Sequence, residues 1–311
     1  MKLSGTQKYI LKRFAEMIPT TFGVVALTFV LFNVIGGSPA EVILGKNATA
    51  EAIAAFNHKW GYDLPLYQQF FNFVCDICKG DFGYSLEMNE PVADILKRGI
   101  GPTLSLTLPM MISGFVTAIT LAILAAGYRN RFADKAVLLV STVLMSVNYV
   151  VWVILGQYFL SYKAGIFPIW GYENAFYLVL PVIIGVFSTL GTDVRFFRTA
   201  ILDELYKPYV LTARAKGLSK SVVMCRHVLR NTLVPVVTYV SLSIPYLFTG
   251  SLMLESFFGI PGLGSISINA IHSSDMSVVR AVVVMGALIY QFVNLMTDLL
   301  YAAVDPRVRL G

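Results

Sequence analysis

At 311 residues the chain has the length of two ordinary soluble domains, yet 56% of it is hydrophobic and only 14% charged, well outside the soluble pattern. Its mean hydropathy of +0.69 demands more buried apolar surface than a fold of this size can hide from water, which excludes a soluble protein and points to an integral membrane protein. The net charge of +6 is left to be placed, and three cysteines are too few for a disulfide scaffold.

Apolar runs of about 20 residues, enough to cross a hydrocarbon core as helix, occupy residues 17–35, 103–127, 136–160, 175–192, 232–254 and 278–304. Backbone amides find no water inside a bilayer, so each must be helical. The prediction is an all-α protein with six transmembrane helices. The first run follows a basic start, residues 1–16. Its apolar stretch is long for a signal peptide and no small-residue cleavage site follows directly, so it is expected to be a retained span.

Residues 36–102 are too many for a connector and should fold as a small helical domain outside the membrane. Helices are expected over 48–60 and 66–79, the second with Phe70, Phe73, Val74 and Ile77 at helical spacing. Gly80-Asp-Phe-Gly83 is turn chemistry. Cys75 and Cys78 share a helical face, but no companion pair completes a metal-ligand set, so they read as small packing residues. The Asn47-Ala-Thr49 sequon carries no weight without a secretory eukaryotic context.

Polar residues inside the spans are mostly neutral. Among them Ser146, Asn148, Gln157, Ser243, Gln291 and Asn294 are candidates for lining a pathway, and Asp298 is the main acidic one. Such scarcity of buried charge argues against a pump run by a carboxylate relay and agrees with an engine on another subunit.

The segment 193–231 is the most unusual. Asp203 and Glu204 suit a helix N-terminus, with Pro208 in its first turns and Tyr209, Val210, Ala213 and Ala215 as contact positions. Gly217 reads as a left-handed C-cap, and Ser219 caps a second helix over 220–230 that leads into the fifth span. Two readings stand side by side: a basic amphipathic helix on anionic lipid, or a docking element for a cytosolic partner in which Ala213, Ala215 and Gly217 permit close approach.

Between the last two spans lies Glu255-Ser-Phe-Phe-Gly-Ile-Pro-Gly-Leu-Gly264. The Gly259 to Gly264 spacing imitates a phosphate loop, but Ser265 stands where lysine is required and no strand precedes it. Phe257 and Phe258, held by turns at Pro261, Gly262 and Gly264, are better suited to closing the external end of a pathway.

Basic residues set the orientation. With the N-terminus in the cytoplasm, the inside segments hold Lys2, Lys8, Lys12, Arg13, Arg129, Arg131, Lys135 and the basic run from Arg195 to Arg230, with Arg307 and Arg309 at the end. The outside keeps Lys46, Lys59, Lys79, Lys97, Arg98, Lys163 and Arg280. This bias is that of a multi-pass protein with both termini cytoplasmic. The basic charge is thereby explained by topology and contact with lipid, and no nucleic-acid partner is needed.

These motifs, taken in order, resemble the inner-membrane permease subunits of ABC importers for dipeptides, oligopeptides and nickel. The resemblance runs almost end to end. It begins with Gly36-Gly-Ser-Pro39-Ala40, Asp63-Leu-Pro-Leu-Tyr-Gln68, Gly80-Asp-Phe-Gly-Tyr-Ser85, Pro91-Val92 and Thr103-Leu-Ser-Leu. It continues through Tyr209-Val-Leu-Thr-Ala-Arg-Ala-Lys-Gly-Leu218, Arg226-His-Val-Leu-Arg-Asn231 and Pro235-Val-Val-Thr238. It ends with Glu255, Phe258, Pro261-Gly-Leu-Gly264, Asp275, Asn294, Asp298, Tyr301 and Asp305-Pro-Arg307.

The resemblance implies a permease core over 103–304, an added external domain over 36–102 where a substrate-binding protein docks, a coupling loop over 193–231 and a cytoplasmic tail over 305–311. Thr212, Ala213, Arg214, Ala215, Lys216, Gly217 and Leu218, with Glu204 and Tyr209, would couple the chain to the ATPase. Partners would be a second similar permease, two cytosolic ATP-binding subunits and the binding protein, in a bacterial cytoplasmic membrane. ATP and magnesium would sit in the partner subunits, so this chain would bind no cofactor and be no enzyme. His227 falls in the Arg-His-x-Leu-Arg-Asn pattern and is not read as a metal ligand. The chain departs from relatives at Ser146-Val-Asn-Tyr-Val, where a proline and an aromatic residue are common, and at Leu211, a frequent arginine; substrate identity is what these changes touch. The rival readings are a stand-alone secondary transporter or channel, a nickel or other small-solute permease, and a membrane scaffold that recruits a cytosolic protein without solute flux.

Overall fold

The computed structural model describes residues 5–35, 40, 44, 48–85 and 87–304. Helix α1 is Gly5–Phe29, extended by π-helical turns over Val30–Ile35. Then come α2 (Ala50–Trp60), α3 (Leu66–Lys79), a small antiparallel hairpin of β1 (Tyr84–Ser85) and β2 (Glu90–Pro91), and the long α4 (Val92–Gly127). α5 (Phe132–Ser146) is followed by α6 (Tyr149–Gly156) with its π-helical continuation Gln157–Lys163, then α7 (Phe176–Leu205) and the short α8 (Pro208–Ala215). α9 (Lys220–Val222) runs through a π-helical segment, Val223–Val228, into α10 (Leu229–Ser243). Two short helices, α11 (Tyr246–Thr249) and α12 (Leu252–Phe258), precede α13 (Leu263–His272) and α14 (Met276–Val304).

Arg13–Ile35, Val92–Gly127, Phe176–Leu205, Lys220–Phe248 and Met276–Thr297 are each long and apolar enough to cross a membrane, and a sixth crossing is available if α5 and Tyr149–Lys163, bent by 93°, form one span. Large apolar side chains stand exposed along these helices, Ile18, Val116 and Leu139 among them, as a hydrocarbon solvent requires rather than water.

Several boundaries differ from those the apolar runs predict. The second span starts at Val92, not 103, because Val92, Ile95 and Leu96 bury an amphipathic first face against Leu263, Ala270 and Val278. The predicted continuous third span is broken: Val147 is extended (φ −97°, ψ 128°), and the Asn148 side chain accepts from Val150 N at 2.9 Å, capping a new helix. The fourth continues past Thr192 to Leu205, since Val194, Phe197 and Ile201 carry the buried stripe onward. Asp203 and Glu204 therefore end a helix rather than start one. The fifth run stops short of 254 at Gly250 (φ 73°, ψ 177°), and Leu252–Phe258 is a separate helix.

The chain divides into two compact units, residues 1–102 with 261–311, and residues 103–260. In the first, α1 packs along α14, and Phe29 meets Phe70 of α3 edge-on at 5.2 Å. Here α3 has the bounds its periodicity predicts, and α2 begins at Ala50, capped by Thr49. Asp275 accepts from Val278 N at the head of α14 and from the hydroxyl of Ser85. Cys75 and Cys78 are free thiols, half-buried and exposed. Gly36–Pro39, Asn47 and Asp305–Arg307 of the expected motifs lie outside the described residues, as do the side chains of Asp298 and Tyr301.

In the second unit α5 lies against α7. Gly191 makes this approach possible, because a Cβ there would sit 2.5 Å from the Ser141 carbonyl oxygen. The Asp134 carboxylate, 3% exposed at its side chain, takes a two-pronged contact from Arg198 at 2.7 and 2.8 Å. That pair locks the start of α5 to α7, in the geometry that makes arginine–carboxylate bonds strong.

Candidate functional site: the short helix 208–215 and the cavity of the second unit

Lys207 is extended and Pro208 occupies the first helical position, where its missing N–H costs nothing. α8 lasts two turns and ends at Lys216 and Gly217. Gly217 has φ +78°, its N–H bonds to Arg214 O at 2.9 Å, and Leu218 N reaches back to Ala213 O at 3.4 Å, the left-handed closure expected from its sequence position. Ser219 then caps α9 by accepting from Val222 N.

Burial splits this helix cleanly. Val210 and Ala213 are 0% and 5% exposed and join Phe197, Ile201, Val223 and Val228 in one core. Leu211, Thr212, Arg214, Ala215, Lys216, Gly217 and Leu218 all face out. The expectation that Ala213 permits close approach by a partner is thereby corrected, since its small side chain serves packing inside the chain. Among the small residues, Ala215 and Gly217 keep that possibility.

Glu204, at the end of α7, anchors the near end of α8. It is paired with Lys207, and its Oε2 accepts from the Tyr209 hydroxyl at 2.6 Å. The hydrogen bond to Glu204 pushes the Lys207 ammonium pKa up. Burial, and then the Glu204 carboxylate, push the Tyr209 phenol up. Both groups consequently stay protonated donors at neutral pH.

The 255–264 segment is less open than its sequence suggests. Glu255 is fully buried, accepting from Thr103 Oγ1 at 3.0 Å and from Ser251 N at 3.1 Å. Phe258 is 2% exposed in a core with Leu106, Val153 and Leu180, whereas Phe257 is partly exposed. Gln157 spends its amide on the carbonyls of Phe257 (2.7 Å) and Ile169 (3.2 Å), so it clamps backbone. Gly262 precedes α13 as its N-cap. Gly264 is buried and Pro261 exposed.

The remaining pathway candidates do not converge on one site. The Ser146 hydroxyl bonds to Thr142 O within its own helix, and Asn148 is the cap already described. Gln291 lies on a small cleft with Thr21 and Val25, and Asn294 is half-buried on α14. Ser243 does line a cavity, of about 480 Å³, with Ser188, Thr107 and Phe115.

The same cavity contains a residue the sequence reading passed over. Asp193 is 5% exposed and its Oδ1 accepts from the Tyr239 hydroxyl at 2.7 Å. The apolar run stops at Thr192, which by composition alone places Asp193 in a loop. The signal that could have placed it in a helix is the Leu190, Val194, Phe197 and Ile201 stripe on either side of it. A buried carboxylate inside a candidate span also removes the inference that buried charge is scarce.

Comparison with known proteins bears directly on these elements. Residues 118–310, which include α8 and most of the cavity wall, match the family described as binding-protein-dependent transport system inner membrane component. Residues 6–107 match the family's N-terminal component. The glutathione transport system permease protein GsiC of Escherichia coli (strain K12) is 34% identical over 302 residues, covering 97% of this chain and 98% of the relative. The protein of the same name from Shigella boydii serotype 4 is 33% identical over the same length. With both halves matched and the alignment nearly end to end, the chain belongs to the binding-protein-dependent inner-membrane permeases of ABC importers.

Proposed function

We propose that the chain is one permease half of an importer that moves a peptide-like solute into the cell by alternating access, and that α8 transmits the work of partner ATPases. The observation that carries this reading is the split of α8. Two side chains are sunk in the core of the second unit, while Leu211, Arg214 and Ala215 are exposed beside them. Such a helix can pass a push from an exposed face to α7 and α10, whose residues share its core. Glu204 and Tyr209 tie its first turn to α7 and add a second route.

The complete assembly in this reading has a second similar permease, two cytosolic ATP-binding subunits that hold ATP and magnesium, and an external binding protein that docks near residues 36–102. Both termini and the 206–219 segment between α7 and α9 face the cytoplasm, as the distribution of basic residues favours. Relatives named for glutathione, a tripeptide, support the peptide-like class of solute. Phe257 and the turn at Pro261 and Gly262 remain on the external side in this reading, with Glu255 and Phe258 buried in the second unit.

The test is a reconstituted importer carrying Ala215→Trp, a bulky change on an exposed site that spares the core. Hydrolysis stimulated by the loaded binding protein should fall at least tenfold and solute uptake with it, while the inserted chain keeps its thermal midpoint. Normal stimulated hydrolysis in this variant would sink the docking role. Uptake that persists without the ATPase subunits would replace the whole reading by a secondary transporter.

A further inference from the structure

We propose that the cavity of the second unit is a recognition site for a cationic group of the transported solute, a primary ammonium, with Asp193 as its counter-charge. The inference rests on the permease reading above and names the chemistry that the solute presents to the pathway.

A carboxylate has lone-pair room for about four donors. At Asp193 the Tyr239 hydroxyl supplies one bond to Oδ1 at 2.7 Å, and Thr189, one turn earlier, lines the same cavity. Neither carries charge. Among the described residues no lysine, arginine or histidine pairs with Asp193; the nearby Arg198 is committed to Asp134 in its two-pronged contact. A carboxylate buried to this degree without a compensating cation is costly, and elsewhere in the unit the chain does provide one. Asp193 also lines a cavity of about 480 Å³, within the range of small-ligand sites, so a donor can reach it from inside that space.

The walls suit the same ligand. Phe115, Tyr149 and Tyr239 line the cavity, and aromatic faces attract ammonium groups through their quadrupole. Tyr239 is held rather than free: its ring stacks on Phe196 at 4.3 Å and meets Phe115 and Phe197 edge-on. The hydroxyl is thus fixed on Asp193, and it orients the carboxylate instead of competing for the cation. An anionic solute group would meet only hydroxyls and a repelling carboxylate here, so the site discriminates by charge.

The test reads charge selectivity directly and needs no knowledge of the solute. In full-length chain within the assembled importer, with Cys75, Cys78 and Cys225 replaced by serine, Ser243→Cys places a thiol on the cavity wall. Its rate of modification by trimethylammonium-ethyl methanethiosulfonate is compared with that by the sulfonatoethyl reagent, each normalised to a free thiol. The cationic reagent should be favoured by about tenfold or more, the gain a focused single charge gives in a cleft, and Asp193→Asn should abolish the preference. No preference in the parent, or a preference that Asp193→Asn leaves intact, overturns the proposal. Should Asp193→Asn fail to fold, the parent measurement still decides, and Tyr239→Phe, which keeps the charge, must retain the preference. A parallel uptake assay with alanyl-alanine separates the two levels: absence of ATP-driven uptake with the preference intact refutes the peptide-like solute of the reading above but not the cation site.

Discussion

Removing a single oxygen at Tyr209 weakens the link between α7 and α8, and with it a longer contact to the His227 carbonyl at 3.5 Å. Tyr209→Phe keeps the ring and its packing but deletes the hydroxyl that donates to Glu204 Oε2 at 2.6 Å. Hydrogen bonds to charged groups contribute about 1.5–3 kcal/mol, and the loss is felt most where the acceptor stays out of water. Glu204 is 9% exposed, and Lys207 remains to it as a partner, so the lower half of that range is expected. An energy of about 1.5–2 kcal/mol corresponds to roughly a 10- to 30-fold change in an opening equilibrium. Hydrogen–deuterium exchange of the amides in α8, followed by mass spectrometry, should show that loss of protection, with exchange in α5 and α14 unchanged.

The pH dependence follows from the direction of the two shifts. Tyr209 and Lys207 both have raised values, so what they contribute is complete below the ordinary values of about 10 and 10.4 and is lost as pH rises through the higher folded ones. Protection of α8 should therefore be flat from pH 6 to pH 9, each range normalised for intrinsic exchange, and should fall only above it. If Tyr209→Phe exchanges at the parent rate, or if protection declines between pH 6 and pH 9, the Glu204 anchor is not what holds α8.

Two other changes probe the second unit. Gly191→Ala puts a methyl 2.5 Å from the Ser141 carbonyl oxygen, a backbone atom that cannot swing away, so α5 must shift at a cost of about 1–3 kcal/mol; the unfolding midpoint in detergent should drop, and an unchanged midpoint would show that the two helices are not closely fitted. Thr103→Val removes the hydroxyl that serves buried Glu255 at 3.0 Å, costing about 1–3 kcal/mol, which the same unfolding assay should detect and which Thr103→Ser should largely restore.

What could be read in advance and what could not divide along the range of the interaction. The caps were legible because they are local: Gly217 takes φ +78° and Ser219 bonds to Val222 N for reasons contained within a few residues. The bounds of α3 were legible because Pro65 and Gly80 frame a strongly periodic run. Span ends were misjudged where hydropathy falls but the buried stripe continues, as at Asp193, where a carboxylate interrupts composition without interrupting the helix. The break at Val147 and Asn148 shows in the sequence only as polarity, which suits a pathway equally well, because an asparagine cap and an asparagine lining residue look alike until the backbone is seen.

Ala213 and Ala215 show the limit most plainly. The two alanines are chemically identical and stand two positions apart, and their pattern announces close approach at both. A rotation of about 200° on the helix sends Ala213 into a core with Phe197 and Ile201 and leaves Ala215 facing out. Small residues state that something comes near and are silent on whether it is the same chain or another. The face of α8 is set by its larger neighbours: Val210, three residues before Ala213, buries alongside it and fixes the rotation, and Leu211 is thereby turned outward as an exposed apolar side chain. An exposed leucine beside Arg214 on a helix clamped at both ends is what the proposed docking role asks of α8, and it follows from burial, which only the folded chain displays.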